Sequence, residues 1–189
     1  MIIGKNICIR PLESGDEEIL HRWWNDGEIM AHAGFPHGTL QGIESIREIV
    51  RRESAQEALF PTSKILMLCR RHDMSPIGEV SYGGYDRHNQ RCEIGIKICD
   101  FTAREKGFGT EALALFIDYL FMYLNLNKIE LTTMPDNSRA HHVYAKLGFK
   151  RSGVMRGHYF DARSGHFIDS VYMDLLKKEW MKKRPAYLS

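Results

Sequence analysis

Seven consecutive residues, Arg104-Glu105-Lys106-Gly107-Phe108-Gly109-Thr110, follow a strand-like stretch and open a long apolar run. Glycines at 107 and 109 allow a backbone to approach a ligand closely. The unpaired N–H groups of a first helical turn point outward, and the helix dipole favours negative charge there. A pyrophosphate suits that combination, with Thr110 as an added hydroxyl donor. A plain structural turn is the competing reading of the two glycines. A dinucleotide fingerprint would need a third glycine three residues on and an acid about 20 residues downstream, and a P-loop would need Gly-Lys-Ser/Thr. The sequence has neither.

Two further groups stand in register with this segment. From Cys92 to Cys99 the residues Glu93, Gly95, Lys97 and Cys99 alternate with Ile94, Ile96 and Ile98, so Glu93 is expected opposite the apolar face. Tyr144 follows Asn137 by seven residues, two helical turns, which puts both on nearly one face with the small Ala140 between them.

The elements that must position these residues can be read from periodicity and punctuation. Ile7 to Leu12 alternates as a strand and meets Ser14-Gly15-Asp16-Glu17, which has capping-box spacing for a helix carrying Ile19, Leu20, Trp23 and Trp24. A second helix is expected from about Gln41 to Ser54. Lys64 to Arg71, Ile77 to Tyr85 and Cys92 to Cys99 read as an antiparallel meander, turning at Pro76 and at Asp86-Arg87-His88-Asn89. Gly107 to Leu124 is apolar almost all round, as a helix buried on more than one side would be. Strand Lys128 to Met134, helix Ser138 to Lys146 and strands near Lys150 to Tyr159 and His166 to Leu175 complete the body. Residues 180–189 read as a basic, mobile tail. Grouped strands with inserted helices indicate a mixed α/β (α+β) single domain over residues 1–189.

Composition narrows the class. A length of 189 residues supports one substantial core, and 43% hydrophobic with 26% charged residues is ordinary globular usage. A net charge of +2 supplies no broad electropositive field, which argues against a nucleic-acid partner and makes any anion site local. No apolar run approaches the length of a membrane span and the first residues do not read as a leader, so no membrane partner and a cytoplasmic location are expected. Cys8, Cys69, Cys92 and Cys99 contain no Cys-x-x-Cys pair, so neither metal nor disulfide is indicated. The histidines, including His141-His142, His158 and His166, match no zinc spacing.

The pattern Arg-x-x-Gly-x-Gly, preceded by Cys92-Glu93-Ile94-Gly95-Ile96-Lys97-Ile98-Cys99 and followed by Asn137-Ser138-Arg139-Ala140 and Tyr144-Ala145-Lys146-Leu147-Gly148-Phe149, resembles the GNAT superfamily of acetyl-CoA-dependent N-acetyltransferases. Within it the chain is similar to the Rim type that acetylates ribosomal-protein N-termini, and to polyamine and aminoglycoside relatives. The resemblance spans the chain, is strongest from Glu93 to Phe149, and is generic over the first 75 residues. It implies a central, mostly antiparallel twisted sheet flanked by helices and splayed between the fourth and fifth strands. It implies acetyl-CoA as co-substrate, no metal, and a primary amine as acceptor.

Carried onto this sequence, the resemblance implies that the backbone of Lys97, Ile98 and Cys99 pairs with the pantetheine arm as an added strand. Arg104, Glu105, Lys106, Gly107, Phe108, Gly109 and Thr110 then cradle the pyrophosphate, Asn137 bonds the pantetheine, and Ala140 leaves room for it. Asn137 is equally suited to capping the helix. Tyr144 is implied as the general acid that protonates the departing thiolate; packing in the core is its alternative role. An alkyl ammonium has a pKa near ~10.4, so a base is needed, and Glu93 is the first candidate with Glu79 in reserve. A backbone N–H near Lys97 or Ile98 would steady the thioester oxygen. Either glutamate also suits an ordinary solvated or ion-paired strand position.

The acceptor is a peptide or protein N-terminal amine on this reading, with a polyamine or an aminoglycoside as alternatives. Trp24 and Glu79 are the candidate acceptor-side residues, and core packing competes for the tryptophan. A module that binds acetyl-CoA or CoA without turnover is the alternative of another class. A homodimer is the assembly to expect if the chain assembles.

Overall fold

The computed structural model describes residues 1–55, 57–161 and 164–188. Eight strands occur in chain order: β1 (Ile2–Ile3), β2 (Ile7–Pro11), β3 (Lys64–Arg70), β4 (Pro76–Asp86), β5 (Arg91–Ile98), β6 (Lys128–Thr133), β7 (Lys150–Asp161) and β8 (His166–Leu176). The helices are α1 (Glu17–Trp24), α2 (Gly27–Met30), α3 (Ile43–Ser54), α4 (Phe108–Met122), α5 (Ser138–Leu147) and α6 (Lys177–Lys183). All strands join one sheet in the order β1-β2-β3-β4-β5-β6-β8-β7. Neighbours are antiparallel except β5 and β6, which run parallel. This is the mixed α/β architecture that the sequence pattern predicts.

The parallel pair is the feature that matters for function. β5 and β6 are in register only at Arg91 with Lys128, Cys92 with Ile129 and Glu93 with Glu130. Beyond that point β5 continues to Ile98 and β6 to Thr133 with no shared register, so a wedge opens in the sheet. The splay expected between the fourth and fifth strands is therefore present; the short β1 raises their numbers by one. Helix α4 starts beyond the C-terminal end of β5 and α5 beyond that of β6, so both helix N-termini stand at the mouth of the wedge.

Each strand divides its residues between two layers, as its two-residue period requires. Ile7, Ile9, Leu66, Leu68, Val80, Ile94, Ile129 and Leu131 point to the face covered by α4 and α5. Eight residues of α4 are buried, among them Phe116 and Phe121 at 0% exposure, each worth about 1.5–3 kcal/mol of burial. Cys8, Met67 and Cys69 face the opposite layer, where Leu20, Trp23 and Trp24 of α1 and Ile46 and Val50 of α3 close a second cluster.

Two expectations are corrected. Helix α1 has Asp16 at its N-cap and no side-chain capping bond, because the Asp16 carboxylate accepts from Arg10 at 2.7 Å and from the Glu13 N–H at 2.8 Å. Glu17 turns back to the Gly15 N–H, so Ser14 forms no capping box. The expected mobile tail is instead docked through residue 188, Ser189 lying outside the described residues. Trp180 on α6 is 1% exposed and its indole N–H donates to Asp118 Oδ1 at 3.0 Å, while Arg184 donates to the same carboxylate at 2.6 and 2.9 Å. Basic composition hid one buried tryptophan and an arginine with a fixed partner on α4.

Candidate active site

The edge of β5 that borders the wedge is defined by hydrogen-bond direction. The Cys99 N–H donates to the Ile77 carbonyl of the β4 segment at 2.8 Å. Backbone polar groups alternate sides along a strand, so those of Lys97, in unbroken register opposite Glu79, also point to β4. Those of Ile96 and Ile98 point into the wedge. The expectation that Lys97 and Cys99 offer backbone groups to a ligand is thus corrected to Ile96 and Ile98. The Ile98 carbonyl accepts from Arg104 Nε at 3.2 Å, which confirms its direction and anchors the following loop to the strand.

That loop has the form of an anion cradle. Gly107 adopts the left-handed conformation at φ 82° as the N-cap of α4 and gives no side-chain cap, so the first N–H groups of the helix stay open. A side chain at Gly109 would lie 3.6 Å from Ile98, with nothing else as near. Phe108 packs against the core cluster, holding the turn to the sheet. Arg104 lies 3.9 Å from the Phe101 ring centre, where its desolvated guanidinium is less basic than usual. Glu105, also left-handed at φ 62°, is bonded by Arg139 of α5 at 3.0 Å, which offsets a negative charge beside the cradle. Lys106 and Thr110 complete the segment. These residues fit a pyrophosphate: the helix start carries no side-chain cap, and Arg104 and Lys106 add positive charge to the segment.

On α5 the expected face is present. Asn137 is the N-cap and accepts from the Ala140 N–H at 3.2 Å; Ala140 is half-buried and Tyr144 is 8% exposed. The Tyr144 ring lies 5.6 Å from Phe149. Burial pushes its phenol up to about 12, so it stays protonated across the neutral range. Among the described residues its hydroxyl has no hydrogen-bond partner within the chain.

The opposite face of the wedge carries the carboxylates. Glu93 is exposed at the last paired position of β5, and its Oε1 accepts from Thr132 Oγ1 at 3.0 Å. Thr132 Oγ1 lies 3.2 Å from the Tyr159 hydroxyl on β7. Neither Thr132 nor Tyr159 was singled out from sequence; alternation on β6 could have found Thr132, but the irregular register of β7 between Met155 and Tyr159 conceals Tyr159. Glu79, 4% exposed, is engaged on both oxygens, by Lys97 Nζ at 2.7 Å and by the Trp24 indole N–H at 2.9 Å. Trp24 thus both packs in the second cluster and holds Glu79. A cavity of about 250 Å³ is lined by Ala31, Gly34, Pro36, Met134, Asp136, Phe160 and Ile168.

The cysteines are placed for packing. Cys99 is 2% exposed and burial pushes its thiol well above its ordinary value, as burial pushes Cys92 up to about 12. A buried neutral thiol is a poor nucleophile. His141 Nε2 lies 3.1 Å from the Met134 carbonyl. Among the described residues no group of three or more His, Cys, Asp or Glu is arranged for a metal ion, and no helix is long and apolar enough to cross a membrane.

Residues 6–150 match the family model described as an acetyltransferase (GNAT) domain. Probable N-acetyltransferase YjcK of Bacillus subtilis is 43% identical over 167 residues, 82% of this chain and 87% of that protein. Spermidine N(1)-acetyltransferase of Escherichia coli is 24% identical over 93% of this chain and 89% of its own length. The crystal structure of spermidine N-acetyltransferase from Vibrio cholerae, solved with CoA and spermine, superposes with a TM-score of 0.82 at 22% identity, covering 94% of this chain and 99% of that one. The chain belongs to the GNAT acetyltransferase family and is an N-acetyltransferase.

Proposed function

We propose that this N-acetyltransferase works as a single domain that transfers the acetyl group of acetyl-CoA to a primary amine, with the amine of a peptide or protein N-terminus as acceptor. The observation that carries the reading is the fork itself: β5 and β6 part at Glu93, with the uncapped N-terminus of α4 and Tyr144 of α5 on one face and Glu93 on the other. The amine must be neutral to attack the thioester carbonyl, and Glu93 accepts the ammonium proton. Thr132 holds the Glu93 carboxylate toward the fork. The Ile98 N–H faces the wedge, where it steadies the thioester oxygen as charge develops. As the C–S bond breaks, Tyr144 donates its proton to the leaving thiolate; the attacking nitrogen gives up its second proton to solvent, and the Tyr144 phenolate is reprotonated from solvent. Burial raises the Tyr144 pKa to about 12, which keeps the phenol protonated near neutral pH and makes it a weaker acid than a free tyrosine.

The Gly107 to Thr110 turn supports the pyrophosphate assignment through its open amides, and Arg104 and Lys106 add positive charge. Much of the rate on this reading is positional, because the wedge brings amine and thioester together from opposite faces of one sheet. Exposure of Glu93 in an open groove supports an acceptor presented from a larger molecule. A polyamine acceptor is the second reading, favoured by the named activity of the Escherichia coli and Vibrio cholerae relatives. The deciding experiment measures CoA thiol release from acetyl-CoA with an Ala- or Ser-starting peptide, spermidine, an aminoglycoside and free amino acids. Release with the peptide supports the first reading, release with spermidine alone the second. Silence with all four would count against amine transfer by this site.

A further inference from the structure

On the groove side of β5, a built cation site is filled by the protein's own side chain. Its walls are the Glu79 carboxylate, the Trp24 indole and the Met30 thioether, the three kinds of group that together favour an alkyl ammonium. Lys97 Nζ occupies it, 2.7 Å from Glu79 Oε1, 5.6 Å from the centre of the Trp24 ring and 3.7 Å from Met30 Sδ. The site is fixed from behind by the Trp24 indole N–H on the second Glu79 oxygen. It is also reachable, since 28% of the Lys97 side chain is exposed against 5% for Glu79. Glu93 and Lys97 lie four positions apart on the same face of β5, so the floor between them spans about 13 Å at the usual strand rise. Gly95 lies between them, and the Ser81 hydroxyl of β4 lies beside it. A linear polyamine with one amine at Glu93 has further ammonium groups along that span; a peptide N-terminus has none there.

Resting on the reading that acetyl transfer occurs at the fork, we infer that Lys97 determines acceptor class. Its ammonium takes the place that the second ammonium of a polyamine would otherwise take, so the enzyme accepts monoamines and rejects polyamines. Removing Lys97 leaves a buried carboxylate with no counter-charge, which is strongly unfavourable and is relieved by an incoming cation. Charge selection of this type works by repulsion as much as by attraction: wild-type protein presents a spermidine chain with a cation where it needs an anion.

The test is calorimetric titration of CoA-loaded protein with spermidine and, separately, with an Ala-starting peptide amide. Binding requires no turnover, so the result is independent of the roles of Glu93 and Tyr144. For Lys97→Met the spermidine-to-peptide affinity ratio is expected to rise at least about tenfold, a change of about 1.4 kcal/mol. Lys97→Gln, which keeps a polar group but no charge, should move it the same way if the methionine variant fails to fold. In the double variant Glu79→Gln with Lys97→Met the gain should vanish, because no carboxylate remains to receive the cation. An unchanged ratio in both Lys97 variants, or a gain that survives in the double variant, would overturn the inference. If the ratio rises as expected while no amine is acetylated, the transfer reading fails and the cation site stands. Turnover with an unchanged ratio has the opposite meaning.

Discussion

Glu93 of β5 and Thr132 of β6 share a hydrogen bond of 3.0 Å just beyond the last residue pair that joins their strands. The carboxylate is therefore held at the vertex of the wedge from the strand across it. Tyr159, 3.2 Å from the same threonine oxygen, ties the arrangement to β7. Thr132→Val removes the tether and keeps the shape. It is expected to lower kcat/KM by about tenfold, near the effect of one lost charge-assisted hydrogen bond. Equal rates for Thr132→Val and wild type would show that the bond does not position Glu93.

Tyr144→Phe tests the acid. The ring packs on Phe149 and loses only its hydroxyl, so folding and CoA affinity should be retained. Turnover should fall by about 10²-fold or more, the scale of general acid–base catalysis. Unchanged kcat would remove Tyr144 from the mechanism.

Gly109 separates charge from shape in the anion cradle. A methyl group there meets only Ile98, at 3.6 Å, so Gly109→Ala should bind CoA within a few-fold of wild type. Gly109→Asp sets a carboxylate at the helix N-terminus against the phosphates and should weaken CoA by more than about tenfold. Equal affinity for the two variants would place the pyrophosphate elsewhere.

The docking of α6 predicts a large stability effect far from the wedge. Trp180→Ala removes a side chain 1% exposed and should cost about 3–5 kcal/mol in urea unfolding. A loss below about 1 kcal/mol would restore the view of these residues as a loose tail.

Buried acids make the fold sensitive to alkali. Burial lifts Cys92 from 9.0 to about 12, Cys69 from 9.0 to about 11 and Tyr144 from 10.0 to about 12. Between the ordinary and the folded values the unfolded chain has released protons that the folded chain keeps. Stability is therefore full below about pH 9 and falls as pH rises toward 11–12. Thermal midpoints that decline steadily from pH 9 to 10.5 are expected; a flat or rising profile would contradict the buried assignments.

The elements legible from sequence were those with a strong local signal. The meander of β3 to β5, the all-round apolar α4 and the Asn137 to Tyr144 face follow from periodicity and spacing, and the structure holds them as read. The direction of backbone groups on β5 was not legible, because it depends on how β4 pairs with it, and this moved the open edge from Lys97 and Cys99 to Ile96 and Ile98. By sequence Glu79 is a reserve base that equally suits a solvated or ion-paired strand position; its register opposite Lys97 and the arrival of Trp24 from α1 show that both oxygens are engaged. The role of Asp118 on α4 was not legible either, because its partners Trp180 and Arg184 lie more than 60 residues later.

The most direct test of the central claim is the pH dependence of kcat/KM for wild type and Glu93→Gln with an Ala-starting peptide. An α-amine titrates near pH ~8, so at pH 6.5 most of the acceptor is protonated and a base is needed. The account predicts a deficit of about 10²-fold for Glu93→Gln at pH 6.5 that narrows steadily and nearly closes by pH 9, where the amine supplies itself neutral. Parallel profiles, or no deficit at any pH, would contradict proton removal by Glu93 at the fork of β5 and β6.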